Sequence, residues 1–335
     1  MLHQELISYQ KNKGLIGKNS LENYEILRTI SITKNSRVYL TKEIITKEKY
    51  VIKKIDKSKI LQTAKGMEYI QNEKKILQTN HPFMVTLLHG FQCKRHVYFV
   101  MNYYERGTLA NYMENLPGGT LTEQEIVFYA SEILVALEFL HEMNVIHRDL
   151  KLDNILIDDE GHIKLTDFGY SKIIDDDNND NEEKEVAYSC VGTIYYFAPE
   201  VIDPSSSASY GKYVDLWAFG ICIYEMLTAD VPFNGDTIEE IINEIRFQNN
   251  ILFPEHASKK IIDLVEKLLR KDKKERLKSI PIIKKHSFFE NVEFDKILHK
   301  QYNVPKNRAT FAVDCGHEKK ELLLNNDNDI KKVPL

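Results

Sequence analysis

From Tyr24 onward, apolar and polar residues alternate in short runs rich in β-branched and aromatic side chains. That pattern predicts strands at YEILRTI (24–30), RVYLTKEI (37–44) and KYVIKKI (49–55). The period then lengthens, and Ile70, Ile76 and Leu77 fall on one side of a helix predicted over Met67–Gln78. Two further strand patterns follow, MVTLLHGFQ (84–92) and HVYFVMNYY (96–104). After Gly107 the character changes. Ile126, Phe128, Tyr129, Ile133, Leu134, Leu137 and Leu140 predict a long amphipathic helix over Glu123–Met143, with Thr122 as its N-cap. A loop-rich stretch with short strands runs from Asn144 to Pro199. Helical patterns then dominate from Val214 to Phe289, apart from a loop at Val231–Asp236. Residues 1–23 are polar, and residues 290–335 read as weakly structured, ending in NNDNDIKK. The expected architecture is α+β and bilobal: a small β-rich N-lobe (about 24–106) and a larger, mainly helical C-lobe (about 107–289).

Length and composition agree with two lobes, since 335 residues at about 150 per domain suggest two units. With 43% hydrophobic and 28% charged residues, the chain has the apolar material for a core, which excludes a wholly disordered protein. The longest largely apolar stretch, Leu216–Tyr224, is far short of the ~20 residues that span a bilayer. The first residues lack an apolar signal core, and Leu2 excludes an N-terminal myristoyl glycine. Cys93, Cys190, Cys222 and Cys315 are far apart with no CxxC pair, which disfavours a disulfide framework or zinc site. A cytoplasmic location is therefore expected, with the nucleus also open. The net charge of −5 hides one acidic run, DDDNNDNEEKE at 175–185, whose seven acids against Lys184 give −6. The remainder is close to neutral, which argues against nucleic acid as a partner.

The chemistry concentrates at HRDLKLDN (147–154), followed thirteen residues later by Asp167-Phe168-Gly169. Two carboxylates that near could serve a glycosidase pair, a metal site or phosphoryl transfer. The rest of the string favours the last. Asp149 can act as base beside a hydroxyl, Lys151 can neutralise a phosphate, and Asn154 and Asp167 can hold Mg²⁺. With YVIKK, NEKKIL, FAPE and VDLWAFG in order, the chain resembles a eukaryotic protein kinase over about Tyr24–Phe289. NEKKILQTNHPFMV and HSFFENVEFDKIL look most like the AGC group, and among it the cyclic-AMP-dependent kinase catalytic subunits. The resemblance implies ATP and Mg²⁺ as cofactors. It implies that Lys53 holds the α/β-phosphates with Glu73 as its helix partner, that Glu200 pairs with Arg276, and that Asp215 braces the catalytic loop.

The family's nucleotide loop, G-x-G-x-x-G-x-V, is replaced by SITKNSRV from Ser31 to Val38. Ser31, Thr33 and Ser36 take the glycine positions among Ile32, Lys34 and Asn35. Glycine lets backbone N–H groups approach phosphate without a Cβ in the way, so weaker ATP binding is expected, with the hydroxyls as partial compensation. Val51 replaces the small alanine over the adenine ring; Met101, Tyr104 and Leu156 complete the nucleotide contacts the resemblance implies. The transition-state residues remain, which favours an active kinase over a catalytically silent nucleotide-binding scaffold.

By the same resemblance, Ser189 is the phosphosite of the activation segment, with Arg148 and Lys172 as its phosphate ligands. The acidic run could occupy that basic pocket, attract basic substrates, or be inert. Thr193 and Lys151 point to serine/threonine rather than tyrosine substrates. Asp153 and Glu225 match carboxylates that hold substrate arginines, whereas Thr108 and Tyr195 stand where two glutamates are usual. A basic preference is expected, with the arginine nearest the phosphosite kept and the more distant one weakened. Cys190, Ile194 and Phe197 would dock an apolar residue after the phosphosite. The tail lacks a phenylalanine-x-x-phenylalanine motif. Expected partners are protein substrates, with a regulatory subunit or upstream kinase left open, no membrane, and a monomeric catalytic chain.

Overall fold

Short runs rich in β-branched and aromatic residues make five antiparallel strands: β1 (Tyr24–Ile32), β2 (Ser36–Glu43), β3 (Lys49–Asp56), β4 (Leu87–Gln92) and β5 (His96–Asn102), in the order β1-β2-β3-β5-β4. This comes from a computed structural model, which describes residues 20–62, 66–174, 191–202 and 211–305. The chain divides into two units. Among the described residues the first comprises 20–78 and 85–103, the second 79–84 and 104–305.

In the first unit, register decides which side chains share a face. Val38 pairs with Lys53 and Lys53 with Phe99; two residues on, Leu40 pairs with Val51 and Val51 with Met101. Paired residues of an antiparallel sheet project to the same side, so Val38, Val51, Lys53 and Met101 lie on one face. The opposite face buries Tyr24, Ile52, Phe91, Tyr98 and Val100, with Phe91 stacked on Tyr98 at 4.8 Å. Asp56 ends β3 and caps the short helix α1 (Lys57–Ile60), accepting from the Ser58 amide. Helix α2 (Gly66–Leu77) buries Ile70, Ile76 and Leu77, the residues its period predicted, together with Glu73. Met84, expected to open a strand, instead belongs to the second unit, where it bridges Leu165 in parallel. The fourth strand begins only at Leu87.

The second unit is mainly helical. Its short first helix, α3 (Leu109–Glu114), has no counterpart in the sequence pattern. The central helix α4 (Glu123–Glu142) starts at a capping box in which Thr122 and Glu125 satisfy each other's backbone N–H. It packs against α6 (Tyr213–Thr228), which packs in turn on α8 (Lys259–Leu268). Gly220 makes that second approach close: a Cβ there would sit 2.9 Å from Leu268 Cβ and 3.0 Å from Leu269 Cδ2. Gly220→Val is therefore expected to destabilise the protein by roughly 1–3 kcal/mol through overpacking. Urea unfolding checks this; an unchanged midpoint would mean the two helices can separate freely.

Helices α7 (Ile238–Phe247) and α9 (Ile280–Lys284) complete the predicted helical region, and the short helix α5 (Pro199–Ile202) precedes it. Residues 248–258 and 269–279 lie outside helices, so that region is less continuously helical than its composition suggests. Between them, Glu200 and Arg276 form a buried bidentate pair, at 2.6 and 3.0 Å.

The stretch 290–305, expected to be weakly structured, is packed. Helix α10 (Phe294–Leu298) buries Ile297, and Lys300 reaches Asp158 at 2.9 Å and Glu160 at 3.2 Å. Val304 lies against Gly161, which has φ +95° and no room for a Cβ. Its polar composition concealed this because two or three apolar contacts and one lysine suffice to hold it. Residues 306–335 lie outside the described residues. No described helix is long and apolar enough to cross a membrane.

Candidate active site

Each unit carries its own share of the predicted residues. In the first, Lys53 projects from the middle of β3 and its Nζ donates to Glu73 Oε1 of α2 at 2.5 Å, with both side chains buried. A buried lysine without a counter-ion would be costly, and Glu73 supplies one.

The loop between β1 and β2 is a tight turn closed by its own hydroxyls. The amide of Ser36 donates to Thr33 Oγ1 at 3.0 Å, and the two hydroxyl oxygens are 2.9 Å apart. The Thr33 amide donates to Ser36 O at 2.9 Å. Two bonds hold the tip from outside: Lys59 Nζ donates to Lys34 O at 3.0 Å, and the Asp56 amide to Asn35 O at 3.0 Å. Ser31 and Ile32 close β1 opposite Val38 and Arg37, with Ile32 exposed. Two of the hydroxyls expected to compensate for missing glycine, those of Thr33 and Ser36, are thus bonded to one another.

In the second unit a short hairpin does the positioning. Strands β7 (Ile155–Ile157) and β8 (Ile163–Leu165) pair Ile155 with Leu165, and the Thr166 amide donates to Asn154 O at 3.0 Å. The register sets Asn154 at one end of the hairpin beside Thr166, with Asp167 next along the chain. Asn154 Nδ2 donates to Asp149 O and to Asp149 Oδ2, both at 2.8 Å. Its amide nitrogen committed, Asn154 has Oδ1 left as an acceptor. Lys151 Nζ lies 3.1 Å from Asp149 Oδ2. Asp149 is buried, and burial pushes its carboxyl above the usual range. The charge of Asp167 adds to that, while the nearer Lys151 opposes it.

Two residues here hold left-handed backbone, Arg148 at φ 66° and Asp167 at φ 60°. For non-glycine residues such conformations cost about 1 kcal/mol or more and need support. Arg148 receives it from Asp215 of α6, whose Oδ2 accepts the His147 amide and whose Oδ1 accepts the Arg148 amide, each at 2.9 Å. His141 Nε2, from the last turn of α4, lies 2.8 Å from the same carboxylate. Burial alone would raise the Asp215 pKa, but the hydrogen bond and charge of His141 and the Arg148 amide hold it below the usual range. The Asp149 amide donates to His147 Nδ1 at 3.2 Å, which assigns the ring proton to Nε2, directed at Thr166 O at 3.1 Å. His141 and His147 were not singled out from sequence as parts of this brace.

The remaining predicted residues are placed as follows. Arg148 Nε donates to Tyr170 O at 2.5 Å. Lys172 is half-buried in β9 (Lys172–Ile173), paired with β6 (Val145–Ile146). Leu156 is half-buried in β7 and bridges Thr108. Thr108 caps α3, accepting the Asn111 amide at 3.1 Å. Met101 lies in the first unit and Tyr104 in the second. Glu225 of α6 accepts the Tyr196 hydroxyl at 2.6 Å, and Asp153 is exposed in the turn Leu152–Asn154. Thr193 falls in the 3-10 stretch Val191–Tyr196. Ser189, Cys190 and the acidic run lie outside the described residues.

With this geometry in hand, the comparisons with known proteins are direct. The family model described as "Protein kinase domain" matches residues 24–289. The chain belongs to the protein kinase family. It is 35% identical over 311 residues to cAMP-dependent protein kinase type 3 of Saccharomyces cerevisiae, covering 91% of this chain and 73% of that protein. It is 34% identical over 291 residues to the human cAMP-dependent protein kinase catalytic subunit PRKX, covering 85% and 77%. It is also 34% identical over 289 residues to the RAC family serine/threonine-protein kinase homolog of Dictyostelium discoideum, covering 86% and 62%. Some relatives are much longer: of Protein kinase 3 of the same organism the chain spans 34%. These are serine/threonine kinases of the AGC group, as the motifs implied, and a catalytically silent reading finds no support among them. Protein kinases as a family use ATP and Mg²⁺. The donor set fits such a metal: Asp167 offers carboxylate oxygens and Asn154 an amide oxygen, hard ligands suited to Mg²⁺ with phosphate and water completing the shell.

Proposed function

We propose that the chain transfers the γ-phosphate of ATP to serine or threonine hydroxyls of protein substrates. The observation that carries this is the gathering of Lys151 and Asn154 around the Asp149 carboxylate, with Asp167 next to Thr166, which bonds Asn154. Asp149 takes the proton of the attacking hydroxyl, and its raised pKa makes it a better base than an ordinary carboxylate. Lys151 neutralises phosphate charge, and Lys53, held by Glu73, orients the α/β-phosphates. Asn154 and Asp167 would hold Mg²⁺, which when bound would supply positive charge to neutralise the phosphates. In the first unit Ser31–Ser36, Val38, Val51 and Met101 take the nucleotide-contact roles of the family, and in the second unit Tyr104 and Leu156 do. Arg148 and Lys172 receive a phosphate on Ser189, and Thr193 favours serine/threonine hydroxyls.

The direct test is steady-state phosphorylation of an arginine-containing serine peptide, with Mg·ATP varied to the millimolar range. Transfer to the serine peptide but not to its tyrosine counterpart supports the reading. No transfer, even after treatment with an upstream kinase, sinks it.

For substrate choice, Glu225 and Asp153 form an acidic subsite for arginine. Among the described residues no cation pairs with either, and Thr108 is occupied as a helix cap rather than replacing a distant carboxylate. Burial, with Asp153 and Asp230 nearby, raises the Glu225 pKa to about 7 against the opposing hydrogen bond of Tyr196. A protonated Glu225 cannot pair with arginine, so the peptide KM is expected to rise several-fold as pH falls from 8 to 6. A Glu225→Gln variant should have a high KM with a much flatter profile. A wild-type KM that does not move across this range would remove Glu225 from the arginine subsite.

A further inference from the structure

The nucleotide loop of this chain is short of one donor for a specific reason. In a phosphate-cradling loop, the backbone N–H groups at the tip point outward to anionic oxygens. Here the amides of Lys34 and Asn35 have no partner among the described residues, whereas the next amide, Ser36, donates inward to Thr33 Oγ1 at 3.0 Å. The same Thr33 oxygen is within 2.9 Å of Ser36 Oγ, and the Thr33 amide donates to Ser36 O at 2.9 Å. The two ends of the turn, Thr33 and Ser36, satisfy each other.

We infer that the Thr33 hydroxyl is a latch that withholds the Ser36 amide from the nucleotide, making Thr33 a positioning residue that sets ATP affinity through its hydroxyl. The inference rests on the reading of 31–36 as the nucleotide loop. The bound phosphate and Thr33 Oγ1 compete for one N–H, and a charge-assisted bond to phosphate forms only at the expense of the latch. A second observation makes the latch separable from the rest of the loop. The carbonyls of Lys34 and Asn35 are held by Lys59 Nζ and the Asp56 amide, neither of which involves Thr33. Removing the hydroxyl therefore frees the Ser36 amide without releasing the tip.

Thr33→Val keeps the β-branched shape and removes the acceptor, while Thr33→Ser keeps the acceptor and removes the methyl. Affinity for Mg·ATP and for adenosine would be measured by calorimetry on the full chain, beside KM for ATP and kcat. The Thr33→Val variant is expected to bind Mg·ATP about tenfold more tightly, with KM falling in step. Adenosine, which lacks phosphates, should bind it as it binds the wild type, and Thr33→Ser should retain the wild-type ATP affinity. Equal tightening for adenosine would mean a change in pocket shape and overturn the latch. So would ATP affinity that is unchanged or weakened by the valine. Should neither wild type nor variants bind ATP or adenosine, the failure would lie with the nucleotide-loop reading itself.

Discussion

Replacing Asp149 with asparagine is expected to lower kcat by roughly 10²–10⁴-fold while leaving the fold intact, the range typical of a lost general base. The substitution is close to isosteric. Asn154 Nδ2, which now donates to Asp149 Oδ2 and O, can still donate to an amide oxygen and to the same backbone carbonyl. The buried charge that disappears is one that burial and Asp167 already disfavour, so removing it costs little stability beyond the weakened contact with Lys151. ATP affinity should move far less than kcat, since Asp149 acts on the hydroxyl rather than on the nucleotide. Single-turnover transfer to a serine peptide, with thermal unfolding alongside, separates these effects. Residual turnover within a factor of ten of wild type would take the base assignment away from Asp149.

Asp215→Ala should have the largest effect on the fold itself. One fully buried carboxylate accepts the His147 and Arg148 amides and faces His141 Nε2. Its removal leaves two backbone donors without an acceptor, each costing about 1–3 kcal/mol, and deprives His141 of its partner. A loss of about 3–5 kcal/mol is expected in denaturant unfolding. Activity should fall further than stability explains, because Asp215 accepts the amide of Arg148, which holds φ 66°, and relaxation of that residue moves Asp149. Asp215→Asn, which keeps one acceptor oxygen, should lie between. If the alanine variant loses less than about 1 kcal/mol, the brace is not what fixes the loop.

Much of this was legible in the sequence because the informative residues act locally. HRDLKLDN and Asp167 are near enough that one short hairpin joins them, while Val38 and Val51 were reached through resemblance and the register puts them on the face of Lys53. Pairings across long separations were reached only through resemblance to a family, as with Asp215 and with Glu200–Arg276. What was not legible depends on side-chain rotamers. Ser31, Thr33 and Ser36 read equally well as donors to phosphate or as partners of each other, and composition does not distinguish these. The packing of 290–305 was hidden for a similar reason: Lys300 is one polar residue among many until Asp158 and Glu160 are beside it.

The bond between Arg148 and Asp215 also has a consequence for the chain's length. It joins residues 67 positions apart and so closes a large ring of polypeptide, within which the acidic run 175–185 lies. Ring closure in a flexible chain costs entropy only as the logarithm of ring size. Excising those eleven residues would alter that cost by about 0.2 kcal/mol. Fastened at its two ends, the ring can gain or lose such a run with almost no thermodynamic effect on the catalytic loop, and an insert of this charge can persist there on whatever terms its own chemistry sets.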